Sequence, residues 1–258
     1  MTRRAQYYTI ILYEEPIHHE GAAALRKTQA APNVTVCQPF TSVHAPGFHD
    51  DQLMVLKPLL AGLLPEGEQP IVWFYTPMAL PLLQGMHASL VVYDCMDELS
   101  AFKNPPKQLL QRETALLARA DVVFTGGPSL FEAKRERHAN AYCFSSSVDA
   151  AHFGKARNPA ISHPAQGQLR RPRLGFFGVI DERFDIPLLE AMADARPDWE
   201  LVMVGPVVKI DQADLPRRSN IHYMGQQPYD ALPQFLAGWD VCLMPFAMNE
   251  STKFISPT

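Results

Sequence analysis

Short runs rich in β-branched and aromatic residues alternate with longer amphipathic runs along the whole chain, and this rhythm confines it to the α/β class. Tyr8–Tyr13, Val34–Gln38, Ile71–Tyr75, Leu90–Asp94, Asp121–Thr125 and Ala141–Ser145 read as strands. Gln52–Leu64 reads as a helix with Leu53, Leu56, Leu59, Leu60 and Leu63 on one face, and Leu80–Met86 as a short one. Lys107–Ala120 carries the clearest helical spacing, and Gly126-Gly127 leads into a further helix with Pro128 in its first turn. After residue 172 the rhythm restarts: strands at Arg173–Phe177, Leu201–Val204, Ile221–Met224 and Val241–Pro245, and helices at Ile186–Ala195 and Tyr229–Ala237. Such alternation predicts parallel sheets covered on both faces, with ligands bound beyond the carboxyl ends of the strands. That rule selects the turns after Tyr75, Asp94, Thr125, Phe177, Val204, Met224 and Phe246.

Between the two series, residues 154–172 show no periodicity and are rich in Ala, Pro, Gly, Gln and Arg, the composition of a linker or long surface loop. The expected organisation is a first domain at 1–153, a linker at 154–172 and a second, partial domain at 173–258. Arg170, Arg171 and Arg173 form either a phosphate contact or a solvated basic flank.

Charge and composition exclude several classes. A net charge of −4 over 258 residues argues against a nucleic-acid partner, which calls for a basic excess or stripe. Cys37, Cys95, Cys143 and Cys242 form no CxxC pair and read as buried free thiols of a reduced cytosolic protein. The nine histidines include His18-His19 and the His44/His49 pair, but without an HExxH or His/Cys spacing no metal is expected. The N-terminal segment has no apolar h-region, and no apolar stretch reaches the ~20 residues that span a bilayer. The expectation is a soluble cytoplasmic protein, compatible with peripheral contact at the inner face of the membrane.

The familiar nucleotide motifs are absent. There is no GxGxxG after a strand, no GxxxxGK[ST] and no GxSxG. What remains is strand-end chemistry. In FFGVIDER, Gly178 ends a strand shortly before a helix, where backbone and helix terminus accept an anion. Arg183 either adds positive charge there or pairs with Asp181, Glu182 or Asp185. Asn249, Glu250, Ser251, Thr252, Lys253 and Ser256 supply donors, hydroxyls and a cation after the last strand, a set suited to a diphosphate. YDCMDEL places Asp94, Asp97 and Glu98 at and beyond a strand end. They either orient hydroxyls and move a proton or serve as helix-start acids.

Together these segments resemble the GT-B glycosyltransferases, in particular the bacterial group 1 (family 4-like) enzymes of cell-surface polysaccharide assembly, teichuronic-acid-type branch. The carrying stretches are WFYTPMALPLL, VVYDCMDELSAF, LLARADVVFTGGPSLFEAK and SSSVDAAHF in the first half. In the second they are LGFFGVIDERFDIPLL, LVMVGP, IHYMGQQPYDALPQFLAGWDVCLMPF and NESTKFISPT. SSSVDAAHF is similar to an NGVD-x-x-x-F signature, with Val148, Asp149 and Phe153 matching and Ser replacing Asn and Gly.

The resemblance implies two Rossmann-like domains, with acceptor groups in the first and the nucleotide sugar gripped by the second. It implies transfer with retention of configuration and no bound metal or other cofactor, positive side chains and helix N-termini neutralising the leaving diphosphate. Partners would be a nucleotide sugar, by default a UDP-sugar, and a glycan or lipid-linked acceptor. Carried onto this sequence, the catalytic candidates are Asp94 and Asp97. The donor-binding candidates are Gly178, Arg183, Gly205, Gly225, Gln226, Asn249, Thr252, Lys253 and Ser256, with Gln227 beside them. Val179 stands where many family members carry a diphosphate-binding Arg, which shifts that task to Arg183 or Lys253. By the same comparison the second domain is incomplete, the ribose-holding acid of the family would fall just past Thr258, and the first domain starts short. The expectation is therefore a glycosyltransferase chain that is poorly active alone. The alternative is a non-catalytic nucleotide-sugar-binding fragment or scaffold module, and a sugar-nucleotide epimerase is disfavoured for want of a His and carboxylate set.

Overall fold

The computed structural model describes residues 4–65, 67–102, 104–249 and 252–255. It is α/β throughout and divides into two compact units, 1–144 and 145–258. Among the described residues no helix is long and apolar enough to cross a membrane.

The first unit contains two sheets. In one, β1 (Ile10–Tyr13), β2 (Ile17–His18) and β3 (Ala24–Ala31) all pair with β4 (Val34–Thr41), the first two parallel and β3 antiparallel. The β3–β4 hairpin turns through Asn33 at φ 59°, a left-handed conformation that Asn tolerates. Strand β3 is absent from the sequence reading because ALRKTQAA is exposed along nearly its whole length and shows no alternation of apolar and polar residues. Helix α1 (Leu53–Ala61) follows, inside the expected Gln52–Leu64, with Leu56 fully buried.

The second sheet has the parallel order β5 (Ile71–Phe74), β6 (Leu90–Cys95), β7 (Val122–Thr125), β8 (Ala141–Cys143). Between β5 and β6 the expected helix is instead a 3-10 segment, Pro77–Leu83. Pro81 has no N–H to donate to an α-helical carbonyl, and Thr76 caps the segment by accepting from Met78 N at 3.2 Å. Helices α2 (Leu109–Arg119) and α3 (Pro128–Lys134) cross over between the later strands.

Beneath β6, facing α2 and α3, lies a buried charge network. Lys134 Nζ, almost wholly buried, donates to Glu98 Oε2 at 2.6 Å and Glu113 Oε1 at 2.8 Å. Arg137 reaches Glu113 Oε2 at 2.9 Å, and the Tyr93 hydroxyl donates to Glu113 Oε1 at 3.1 Å. Burial pushes the Glu113 carboxyl up, but hydrogen bonds and charge from Lys134 and Arg137 outweigh it and hold it below its ordinary value. Burial likewise depresses Lys134, and its two carboxylate partners more than restore it.

The second unit begins with α4 (Ala150–Phe153), capped by Asp149, which accepts from Ala151 N and His152 N. Its sheet has the parallel order β11 (Ile221–Gly225), β10 (Glu200–Val204), β9 (Arg173–Phe177), β12 (Val241–Cys242). Alternate residues of β10 enter two cores. Leu201 and Met203 join Leu174, Phe176, Ile180, Phe184 and Leu189 of α5 (Ile186–Ala195) on one face. Val202 and Val204 join Phe235 of α6 (Leu232–Ala237) and Trp239 on the other. Strand β12 is shorter than expected, although Leu243 N still donates to Gly175 O at 2.7 Å, and because β12 and β8 end their sheets, Cys242 and Cys143 are exposed, contrary to expectation, while Cys37 and Cys95 are buried.

Residues 154–172 are built into this unit and do not form a loose linker. Three 3-10 turns, Gly154–Arg157, Pro159–Ile161 and Pro164–Gln166, carry the chain. Gln166 is fully buried, donates to Phe235 O at 2.9 Å and accepts from Trp239 Nε1 at 3.1 Å. Asn158 and His163 cap two of the turns through their own side chains, which leaves no helical period to read. The basic trio ties strand starts together: Arg170 pairs with Glu200, Arg171 with Asp240, and Arg173 donates to Leu169 and Arg170 carbonyls. It lies at the end of the sheet opposite to the strand-end turns.

Replacing Lys134 by Met leaves the Glu98 carboxylate and one Glu113 oxygen buried without their cation. Urea unfolding at pH 7 should show a loss of about 3 kcal/mol. Because Glu113 sits below its ordinary value in the folded state, its contribution is present at neutral pH and lost as pH falls through that lowered value. The gap between wild type and Lys134→Met should therefore narrow in acid.

Candidate functional site

The order of the second sheet creates a switch point. The chain leaves β9 towards β10 and β11 on one side and returns to its other side as β12. The loops after β9 and β12 therefore diverge from adjacent strands, the place where open α/β sheets bind ligands. Backbone hydrogen bonds join these loops: Ala247 N donates to Arg183 O at 2.9 Å, Asp185 N donates to Pro245 O at 2.8 Å, and Phe184 bridges Phe246. The loop after β10 is tied in through Ile180 N to Pro206 O and Val208 N to Ile180 O, both 3.0 Å.

Glycines end three neighbouring strands. Gly178 N donates to Val204 O at 2.9 Å and Gly205 N to Gly225 O at 2.8 Å, so the three ends are laced in series. At Gly205 a Cβ would fall 1.7 Å from the Gly178 carbonyl oxygen, a backbone atom that cannot swing away. Gly225 has φ 66° and open space around it, so only its backbone conformation asks for glycine. The result is three strand ends without side chains, of which Gly205 is buried against the Gly178 carbonyl and Gly225 is exposed.

Around these strand ends Arg183 is bidentate to Asp181, with Nε at 2.9 and 3.0 Å and Nη2 at 2.7 Å from the carboxylate oxygens. Asp181 is buried, and the guanidinium lies 5.7 Å from the Phe246 ring centre. Of the two readings of Arg183, the ion pair with Asp181 is therefore realised. The neighbouring Glu182 receives Lys209 Nζ at 3.4 Å on Oε1, while its buried Oε2 has no hydrogen-bond partner among the described residues.

In the loop after β12, Asn249 N donates to Thr252 Oγ1 at 3.1 Å and Thr252 N donates to Asn249 Oδ1 at 3.2 Å, a reciprocal cap. The Thr252 hydroxyl also donates to Ala247 O. These two side chains shape their own turn. Lys253 Nζ lies 5.7 Å from the centre of the Phe254 ring. Gln226 is exposed past β11, and Gln227 folds back to Met224 O at 2.7 Å. Glu250, Ser251 and Ser256 lie outside the described residues. The structure thus gathers Arg183, Asn249, Thr252 and Lys253 on loops joined at the switch point, with Gly178 and Gly205 at the adjoining strand ends. Phe246 and the buried Asp181 complete this set. Asp181 was read only as a possible ion-pair partner.

The first unit carries its own strand-end group. Trp73 Nε1 donates to Asp94 Oδ2 at 3.0 Å, and Arg4 stacks 3.6 Å from the centre of the Trp73 ring. Phe124, Asp94's partner in register on β7, lies 5.4 Å from Trp73 ring to ring. Burial raises the Asp94 carboxyl above its ordinary value, against the lowering effects of Trp73 and Arg4. That is the direction a proton acceptor needs to work near neutrality. Asp97 lies in the turn beyond, its carbonyl taking Cys95 Sγ at 3.5 Å. Glu98 is committed to Lys134 and is structural.

Two open concavities, about 570 and 580 Å³, lie elsewhere: one along Arg217–Met224, the other between α1 and residues 84–87.

No family model matches the chain. Over 225 residues, 78% of this chain, it is 23% identical to a protein of Bacillus subtilis (strain 168) provisionally named the teichuronic acid biosynthesis glycosyltransferase TuaH. That alignment spans only 55% of the relative's length. Three solved structures share the fold. A sucrose-phosphate synthase from Thermosynechococcus elongatus has a TM-score of 0.68 at 15% identity, over 95% of this chain and 69% of that one. A UDP-forming α,α-trehalose-phosphate synthase from Burkholderia vietnamiensis has 0.60 at 13%, over 96% and 82%. The catalytic domain of starch synthase IV from Arabidopsis thaliana, bound to ADP and acarbose, has 0.57 at 10%, over 92% and 66%. These likenesses show the fold, which is that of the GT-B glycosyltransferases.

Two outcomes test this geometry. Gly205→Ala, which drives a Cβ into a carbonyl oxygen, should lower unfolding free energy by about 3 kcal/mol, against about 1 kcal/mol for Gly225→Ala, which meets only backbone strain. A raised Asp94 also means that its ionisation weakens the fold as pH climbs past the ordinary carboxylate value. Asp94→Asn should then be no less stable than wild type at pH 7. The tryptophan fluorescence of the wild type should titrate above the ordinary carboxylate range, and that transition should vanish in the variant.

Proposed function

We propose that this chain is part of a glycosyltransferase that moves a sugar from a nucleotide-sugar donor, by default a UDP-sugar, to a glycan or lipid-linked acceptor with retention of configuration. The observation that carries the reading is the switch point of the second sheet. There the loop bearing Arg183 and the loop bearing Asn249, Thr252 and Lys253 are hydrogen-bonded together beside the side-chain-free ends of β9 and β10. The GT-B fold and the likeness to TuaH support the same class.

In this reading the diphosphate lies beside the strand ends at Gly178 and Gly225, at the switch point of the sheet. Arg183 and Lys253 offset its charge. The Arg183 guanidinium arrives already oriented by Asp181, so little rotamer freedom is lost on binding, but part of its charge is spent on that carboxylate. No metal is required for such a leaving group when cations and N–H donors face it. Asp94 is the candidate for accepting or orienting the acceptor proton, with Asp97 beside it in sequence.

The Asp181–Arg183 pair also favours a second reading, a module that binds a nucleotide sugar without transferring it, because a cation half-neutralised at rest contributes less to a developing charge. Calorimetry and transfer assays with UDP-, GDP- and dTDP-sugars separate the two. Saturable binding with product favours the enzyme, and saturable binding without product favours the module. Absence of saturable binding for all three nucleotides overturns both. Arg183→Ala should weaken nucleoside-diphosphate affinity about tenfold, close to 1.4 kcal/mol, and should also lower the melting temperature, because it leaves the buried Asp181 carboxylate without its cation.

A further inference from the structure

His18, Glu20 and His44 are none of the strand-end residues described above. Each offers one ligand atom, and the three atoms lie within 4.8 Å of one another on an exposed surface. The His18 and His44 rings stack at 3.9 Å between centres with planes 27° apart. Sequence spacing pointed to no metal, because the two histidines are separated by a whole hairpin. The fold closes that gap.

Both histidines are fixed to β4. On one side, β2 pairs with its end, setting His18 opposite Thr41, and His19 N donates to Thr41 O at 2.9 Å. Glu20 follows in the bend beyond β2, which brings its carboxylate within 4.8 Å of the imidazole atoms. The intervening His19 turns elsewhere: its Nε2 meets Ala22 O at 2.9 Å and its ring lies edge-on to Phe40. On the other side, Gln52 is 1% exposed and spends its whole amide on the loop that carries His44. Its Nε2 donates to Val43 O at 3.2 Å and Ala45 O at 2.8 Å, the carbonyls on either side of His44, while its Oε1 accepts from the Thr41 hydroxyl at 2.8 Å. The main chain at His44 is thus clamped from the core while its imidazole stays in solvent.

We propose that His18, Glu20 and His44 form a binding site for a divalent first-row transition-metal ion, with Zn2+ as the working ligand. Two imidazoles and one carboxylate are a borderline donor set that suits such ions, whereas Mg2+ and Ca2+ call for oxygen ligands. Tetrahedral ligands held at ~2.1 Å lie roughly 3.4 Å apart, so side-chain rotation alone closes the site around an ion. Three protein ligands leave one position for water or for an exogenous group. Because the backbone on both sides is anchored, the ion joins the β2 turn to the β4 loop.

The test is calorimetric titration of the purified chain with Zn2+, paired with thermal melts and with Co2+ as a spectroscopic probe. The expected result is one saturable Zn2+ site, a melting temperature raised by Zn2+, and visible d–d absorption of bound Co2+. His18→Ala and His44→Ala should each weaken Zn2+ binding at least about tenfold and abolish the other two signals. Glu20→Gln should weaken binding less, and His87→Ala, at another exposed histidine, should change nothing. All these side chains are exposed, so unchanged far-ultraviolet spectra are expected of each variant. Absence of saturable binding overturns the proposal, as does binding that survives both His18→Ala and His44→Ala.

Discussion

The close approach of Gly178 and Gly205 governs the second unit. A Cβ at Gly205 would sit 1.7 Å from the Gly178 carbonyl, so neighbouring strands can end at this spacing only if one of them has no side chain. That contact lets the loops after β9 and β10 run side by side, joined through Ile180, Pro206 and Val208. The position of the Asp181–Arg183 pair, and of the loop after β12 hydrogen-bonded to it, follows from there. Trp239 imposes a similar demand lower in β9, where a Cβ on Gly175 would fall 1.9 Å from the indole. The strand is therefore thinned twice, once for packing and once at its end.

The two units handle charge differently. In the first, Lys134 is buried among Glu98, Glu113 and the Tyr93 hydroxyl, and each of its carboxylate partners has a further donor from Ser100, Arg137 or Tyr93. Such a network is costly to break and has no charge to spare for a ligand. In the second, Glu182 keeps one buried oxygen without a partner among the described residues. A buried acceptor left without a partner is unfavourable, so the two units differ in how completely their buried charges are satisfied.

Much of the order of elements was legible from apolar patterning: strand Arg173–Phe177 and helix Ile186–Ala195 fall where the pattern placed them. The failures share a cause. Strand β3 lies against β4 with both faces largely wet, so no period marks it. The segment 154–172 packs through Gln166 and through turns capped by Asn158 and His163, interactions between distant or single residues that a periodic pattern cannot carry. The candidate donor residues were legible as strand-end residues. Their division of labour was not: in the fold Asn249 and Thr252 cap each other, whereas Asp181 orients Arg183.

YDCMDEL shows how far such a motif can mislead and how strand geometry repairs it. Read as a string, Asp94, Asp97 and Glu98 form one acidic cluster. In β6 successive side chains point to opposite faces, and Tyr93 and Cys95 are both buried on the side of Glu113 and Lys134. Asp94 must then face the other way, and it does, onto Trp73 and opposite Phe124. Glu98 lies beyond the strand, free of that alternation, and returns to the Lys134 side. The acids of one short motif are therefore divided by the sheet itself: Glu98 holds the core together, while Asp94 sits half-buried at a strand end with its carboxyl shifted upward. Only a residue of the second kind combines access to a ligand with a proton affinity raised towards neutrality, which makes Asp94 the stronger candidate for proton chemistry among the three.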